Sequence, residues 1–185
     1  AVANAESSAL LERLRGGGLV VFLRHTHTGQ GSDVIRYDVT ASGLADCSKQ
    51  RDLDVVGETQ ATAVGRGLSN LGISFSEVLA SPYCRTLKTA RLAFPTQKVV
   101  VEDGLTSICQ ASGRDFDSRT ARLRKLLSTR PGAGNRILVS HNCNIRALSK
   151  SLAMECARKP NVGDAIVFSP NGSQFELLGC VTRES

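Results

Sequence analysis

Leu19-Val20-Val21-Phe22-Leu23-Arg24-His25-Thr26 is the stretch that decides how this chain is read. The apolar run reads as a strand buried on both faces. An arginine and a histidine stand where the strand ends. In open α/β sheets the carboxyl ends of the strands are where ligands bind. Two later stretches repeat the pattern. Glu77-Val78-Leu79-Ala80 runs into Ser81-Pro82-Tyr83-Cys84-Arg85, and the strand Arg136 to Ser140 runs into His141. Three strand ends carrying Arg24, His25, Arg85 and His141 imply one pocket for a dianion, with a histidine to attack it.

Around these strands the sequence alternates between helical and extended patterns. Residues 6–15 put Leu10, Leu11 and Leu14 on one helical face, and Gly16-Gly17-Gly18 ends that helix. Residues 26–53 show no clean period and read as a long surface excursion, with polar side chains clustered over Asp46 to Asp52. Asp54 is placed to N-cap a helix with Val56, Ala61, Val64, Leu68 and Leu71 inward, stopped by Gly72. Ser81-Pro82 reads as an N-cap followed by proline at the first helical position, for a helix running to about Phe94. Lys98 to Glu102 is a strand, 103–117 is irregular, and Ser118 to Ser128 is a helix presenting Leu123, Leu126 and Leu127. Asn142 or Asn144 is placed to cap a helix to about Met154. Strands 164–169 and 174–181 are joined by a hairpin turn at Pro170-Asn171-Gly172-Ser173. The class is α/β with a largely parallel sheet. The 185 residues are expected to form a single domain, with 1–18 as an N-terminal helix and lead-in.

Composition narrows the function classes. Charged residues are 22% and apolar residues 41%, ordinary for a globular chain. No apolar run approaches the ~20 residues of a membrane helix, so no membrane span is expected. Trp is absent and aromatics are 4%, which argues against base stacking and, with scattered rather than blocked cations, against a nucleic-acid partner. The net charge of +6 fits a basic surface or a basic pocket for phosphorylated substrates. The six cysteines include no C-x-x-C pair and the histidines are few, so no zinc site is expected. They allow three disulfides in fifteen pairings. With small residues at Ala1-Val2-Ala3, this points to a periplasmic or secreted protein; the alternative is a cytoplasmic chain with buried thiols.

The chemistry follows from the residue types. With Ser81 as N-cap, Arg85 lies in the first turn of its helix. A cation opposes the helix dipole there unless an anion binds the same end. Guanidinium groups bind phosphate oxygens in pairs, and a neutral imidazole can attack phosphorus. Arg24, His25, Arg85 and His141 therefore suffice for phosphoryl transfer without a metal or other cofactor.

Three blocks of this sequence, Leu23-Arg24-His25-Thr26, Ser81 to Ala90 and Ser140 to Arg146, resemble the motif blocks of the histidine phosphatase superfamily in its phosphoglycerate-mutase-like branch. Leu53 to Gly65 is similar to a fourth block, with Gly57, Gln60 and Ala61 in place. The resemblance runs from about residue 19 to 181. It implies a three-layer α/β/α sandwich with a mostly parallel central sheet. It implies His25 as the phosphorylated nucleophile and Arg24, Arg85 and His141 as phosphoryl-binding residues. The short length is similar to the compact phosphatases of the branch, and the Asp46 to Arg51 segment to small exported bacterial members.

The sequence also departs from the family pattern. Thr26 stands in place of Gly, and His27 in place of an acid. His27 is read as a rim residue touching substrate, or as a solvent-facing loop residue. Asn142-Cys143 replaces Gly-Gly, and Asn142 is a candidate phosphate ligand. Ser107 stands where many members carry the glutamate that protonates the leaving group. Glu102, Asp103, Asp115, Asp117 and Asp164 are the nearby carboxylates. The expectation is a metal-independent phosphatase acting on a small phosphorylated substrate through a phosphohistidine on His25. The alternatives are a protein phosphohistidine phosphatase, a phosphomutase, or a phosphate-ligand binding module with weak turnover. The oligomeric state is not legible.

Overall fold

The run at 19–23 becomes β1 (Val20–Arg24), buried through its first four residues near the middle of the sheet. In the computed structural model, residues 2–31, 33, 41–148, 152 and 154–182 are described. Along the chain, α1 (Val2–Gly16) precedes β1. Then come α2 (Ala41–Ala45), α3 (Val55–Asn70), β2 (Phe75–Ala80), α4 (Cys84–Ala93), β3 (Val99–Val101) and α5 (Gly113–Ser128). The chain ends with β4 (Asn135–Ser140), α6 (Asn142–Arg146), α7 (Glu155–Arg158), β5 (Ala165–Asn171) and β6 (Gln174–Val181). Within the 26–53 excursion, residues 32 and 34–40 lie outside the described residues.

The six strands lie in the order β3-β2-β4-β1-β5-β6. β3, β2, β4 and β1 run parallel; β5 is antiparallel to β1 and to β6. Period-two alternation sends the side chains to two layers. Val21, Leu23, Ile137 and Val139 join Leu14 of α1, Leu68 of α3 and Ala90 of α4 in one core. Val20, Phe22, Leu138 and Ile166 join Leu123, Leu126 and Leu127 of α5 and Ile145 of α6 in the other. The result is the α/β/α sandwich. Buried Asn135 ties its edge by accepting from Leu19 N–H at 3.1 Å and donating to the carbonyls of Leu14 at 2.8 Å and Ser74 at 3.0 Å.

Several local expectations change in three dimensions. Ser81 does not cap α4. The cap position is Tyr83, with no side-chain cap bond, and Ser81 Oγ instead meets His141 Nε2 at 2.9 Å. The Cys84 N–H at the start of the helix is taken by Gln50 Oε1 at 2.9 Å. A tertiary partner outcompetes the local cap signal. Val56 faces outward at 53% exposure, because α3 turns its Gly57-Ala61-Gly65-Leu68 face inward. A Cβ on Gly57 would overlap the His27 carbonyl oxygen, and one on Gly65 that of Ala93, so both contacts require glycine. α5 begins at Gly113, five residues before the apolar period starts, since its first turn is mostly exposed. The helix expected to reach Met154 stops at Arg146, is capped by His141, and gives way to α7; residues 149–151 and 153 lie outside the described residues. Ile145, Leu148 and Leu152 are nonetheless buried.

Candidate active site

Three adjacent parallel strands bring the polar residues together. β2, β4 and β1 are neighbours, with Ala80 opposite Val139 and Ser140 opposite Arg24. Their carboxyl ends therefore open on the same edge. The His25 N–H donates to the Ser140 carbonyl at 3.0 Å, and the two histidine rings stand edge to face with centroids 5.5 Å apart. Arg85, the second residue of α4, puts Nη2 3.4 Å from His141 Nδ1. A cavity of about 830 Å³ opens there. Arg24, His25, Arg85, His141, Ser107 and Asn142 all line it. His27 does not line it. Its ring is held by Asp54 at 2.8 Å and its N–H by Gln60 Oε1 at 3.1 Å, beside the start of α3. Thr26 also stays out of the cavity: it is buried, with Oγ1 3.2 Å from the Thr89 hydroxyl of α4.

Hydrogen bonds fix the histidine tautomers. His25 Nδ1 lies 2.9 Å from the Thr26 carbonyl oxygen, which only accepts. Nδ1 therefore carries the proton, and Nε2 keeps a lone pair. A guanidinium only donates, so His141 Nδ1 accepts from Arg85 and Nε2–H donates to Ser81 Oγ. Burial, followed by the charge of Arg85, pushes the His25 pKa down to about 3. Burial and Arg85 also hold His141 well below the usual histidine value. Both rings are neutral at pH 7. Tyr83 completes this wall: its ring packs edge-on to His141 at 4.9 Å, and the Arg85 guanidinium lies over it at 4.5 Å.

The carboxylates sort by what they touch. Glu102 caps a 3-10 turn at Asp103–Leu105, accepts from Arg122 Nε at 3.1 Å and does not line the cavity; Arg122 holds its pKa below the usual value. Asp103 and Asp117 are exposed and outside the cavity, and buried Asp164 accepts from Asn161 N–H at 2.7 Å. Asp115 lines the cavity and pairs with Arg119 at 2.8 Å. Asp33, absent from the sequence-based candidates, lines it too and pairs with Arg85 Nη1 at 2.9 Å. Arg51, Tyr83 and Arg119 were likewise not foreseen as cavity residues. Arg51 and Asp33 sit in the aperiodic region, where spacing carries no signal. The proximity of Tyr83 to Arg85 in sequence was the available clue for that residue. Among the described residues no three His, Cys, Asp or Glu side chains form a group able to hold a metal ion.

The cysteines pair as Cys47–Cys84, Cys109–Cys143 and Cys156–Cys180. Two of these brace the cavity. Cys84 precedes Arg85, so its bridge ties the 47–51 segment to the start of α4. Cys143 follows Asn142, so its bridge ties the Ser107–Ala111 wall to the start of α6. Hydrogen bonds add to that wall: Ser140 Oγ donates to the Leu105 carbonyl at 2.8 Å, Asn144 Nδ2 to Thr106 at 2.9 Å, and Arg119 Nη1 to Ser107 at 3.1 Å.

A family model, the histidine phosphatase superfamily (branch 1), matches residues 20–110. That span holds β1 with Arg24 and His25 and the β2–α4 turn with Arg85. The chain belongs to this superfamily. It is thus an enzyme of the histidine phosphatase type, a hydrolase. Solved histidine phosphatase structures share its fold. The protein histidine phosphatase SixA complexed with tungstate is 16% identical, with a TM-score of 0.63 over 89% of this chain and 96% of that one. Phosphoserine phosphatase from Entamoeba histolytica in complex with phosphoserine is 15% identical, with a TM-score of 0.55 over 88% and 95%. Bacillus stearothermophilus YhfR is 15% identical, with a TM-score of 0.59 over 86% and 94%. No curated protein matches the chain. His141, which follows β4 and lines the same cavity, lies beyond the matched residues.

Proposed function

We propose that this histidine phosphatase hydrolyses a phosphate monoester through a covalent phosphohistidine on His25, without a metal ion. The observation that carries the reading is the His25 tautomer: a neutral ring whose Nδ1–H is tied to Thr26, leaving Nε2 as nucleophile in a cavity lined by Arg24 and Arg85. Nε2 attacks phosphorus, and the bond from phosphorus to the leaving oxygen breaks. The arginines hold the equatorial oxygens throughout. The leaving oxygen takes a proton, and water then attacks the phosphohistidine, releasing phosphate and restoring His25. The neutral His141 ring donates through Nε2 to Ser81. Its Nδ1 accepts from Arg85, so the ring holds that guanidinium in place beside the phosphoryl group. The test is hydrolysis of an aryl phosphate in the presence of chelator, with acid-quenched enzyme assayed for acid-labile phosphate. His25→Ala is expected to lose both activity and label, by on the order of 10⁴-fold or more in rate. Full activity in that variant would overturn the assignment.

One observation favours a second reading, a protein phosphohistidine as substrate. Ser107 stands in the proton donor's usual place, and among the described residues no glutamate lines the cavity. A phosphorylated imidazole leaves without the strong acid that an alkoxide needs. The similar SixA structure is itself a protein histidine phosphatase. Faster turnover of a phosphohistidine protein than of any alkyl phosphate would decide for it. Nothing comparable favours a phosphomutase or a binding module. We further propose export to an oxidising compartment, supported by the three disulfides. Fractionation of the native host, with thiol titration of the purified protein, tests this.

A further inference from the structure

We propose that Arg51 is a third phosphoryl-binding arginine of this cavity, delivered by the Asp46–Asp52 segment. The proposal rests on the phosphatase reading above and names a substrate contact which that reading does not use. Arg51 lines the cavity, and its Nε is buried with no hydrogen-bond partner. A buried guanidinium nitrogen left unpaired is destabilising unless a ligand completes it.

The segment is fastened to the phosphoryl site at several points. Cys47 is bridged to Cys84, and Gln50 accepts from the Cys84 N–H at 2.9 Å while donating to the Leu44 carbonyl at 2.8 Å. Asp33 Oδ1 accepts from both the Arg51 N–H and Arg85 Nη1, each at 2.9 Å. The Arg51 carbonyl itself lies 3.5 Å from Arg85 Nη1. These contacts hold the Arg51 backbone beside Arg85.

Charge places the guanidinium at the centre of the site rather than at its rim. Its field acts on Arg24, His25, Arg85 and His141 alike, lowering each. Arg119, by contrast, is felt by Tyr83 and is tied to Asp115 and to the Ser107 carbonyl. Of the carboxylates in the cavity, Asp33 pairs with Arg85 and Asp115 with Arg119. Among the described residues no carboxylate pairs with Arg51. Three cations around two neutral histidines, with one carboxylate between them, leave a surplus that a phosphoryl dianion balances.

The test compares Arg51→Ala and Arg51→Lys with the wild-type protein, disulfides intact. Orthophosphate affinity is read by calorimetry, and aryl phosphate turnover is read alongside it. Arg51→Ala is expected to weaken orthophosphate binding by about 10- to 100-fold, the range for losing a charged hydrogen-bond donor, and to lower kcat/KM at least as much. Arg51→Lys, which keeps the charge but not the fork, is expected to recover only part of this. Unchanged orthophosphate affinity in a folded Arg51→Ala protein would overturn the proposal. So would a loss confined to substrates carrying a second anion. If Arg51→Ala lowers the melting temperature, Arg51→Met, which keeps the apolar stem, decides between a packing role and phosphate contact. Calorimetry keeps the two readings apart. A wild-type protein that binds orthophosphate through Arg51 but has no turnover sinks the phosphatase reading alone. A turnover enzyme whose phosphate affinity ignores Arg51 sinks this one alone.

Discussion

At the residue scale, the site depends on two neutral imidazoles held in chosen tautomers. Ser81→Ala removes the acceptor of His141 Nε2–H while leaving the ring in place. We expect kcat/KM to fall about tenfold and stability by about 1 kcal/mol, the net worth of a typical hydrogen bond; steady-state kinetics and urea denaturation check both. The proposed nucleophile His25 reacts through its neutral ring, so activity should be lost only as pH falls through its depressed pKa of about 3. Plotted against the concentration of substrate dianion, kcat/KM should therefore stay flat from pH 7 down to about 5. An acid limb near pH 6.5 would show that His25 is not depressed in the free enzyme. The leaving group carries the third prediction. With Ser107 in the donor's place, rates across a series of phosphate esters should fall steeply as the leaving-group pKa rises. A flat dependence would reveal a proton donor, and Asp33→Asn and Asp115→Asn would then test the two carboxylates that line the cavity among the described residues.

Elements matter because Arg24, His25, Arg85 and His141 are each set by the end of a strand or the start of a helix. Arg24, His25, Arg85 and His141 were legible in the sequence for that reason: each follows an apolar run short enough to be a strand. Ser81 was misread because its cap signal is local, whereas its partner is 60 residues away. Asp33 and Arg51 were missed because aperiodic segments are positioned by contacts and bridges, not by a repeat. The Cys47–Cys84 bridge is what holds such a segment. Replacing both cysteines by serine should cost about 2–4 kcal/mol of stability. It should also raise KM more than it lowers kcat, because the Arg51 segment loses its anchor to α4. At the α3–α4 contact, Gly65→Ala should destabilise by about 1–3 kcal/mol or more, since the added methyl meets backbone rather than a flexible side chain.

For the whole molecule, the two buried histidines couple the site to folding. The unfolded chain binds a proton at each below about pH 6.5. The native His25 takes one only near pH 3, and His141 is depressed in the same direction. The unfolded state thus holds more protons across this window, and stability falls as pH drops from 6.5 towards 3. The slope contributed by each histidine is up to about 1.4 kcal/mol per pH unit. His25→Gln should flatten the measured slope by that amount, read by urea denaturation across this pH range. The sheet order exposes the same logic on a larger scale. β2, β4 and β1 are distant in sequence, yet only their adjacency makes three separate polar ends into one cavity.

By itself the sequence determined the strands and the residues Arg24, His25, Arg85 and His141 placed at or just beyond their ends, because burial forces a short-range apolar period. It also carried the family, since the motif blocks occur together and in order. Only the tertiary structure decided the cysteine pairing, the partner of Ser81, the exclusion of His27 from the cavity and the entry of Asp33 and Arg51. Those outcomes depend on which surfaces meet when the sheet closes, and no local pattern in the chain encodes that meeting.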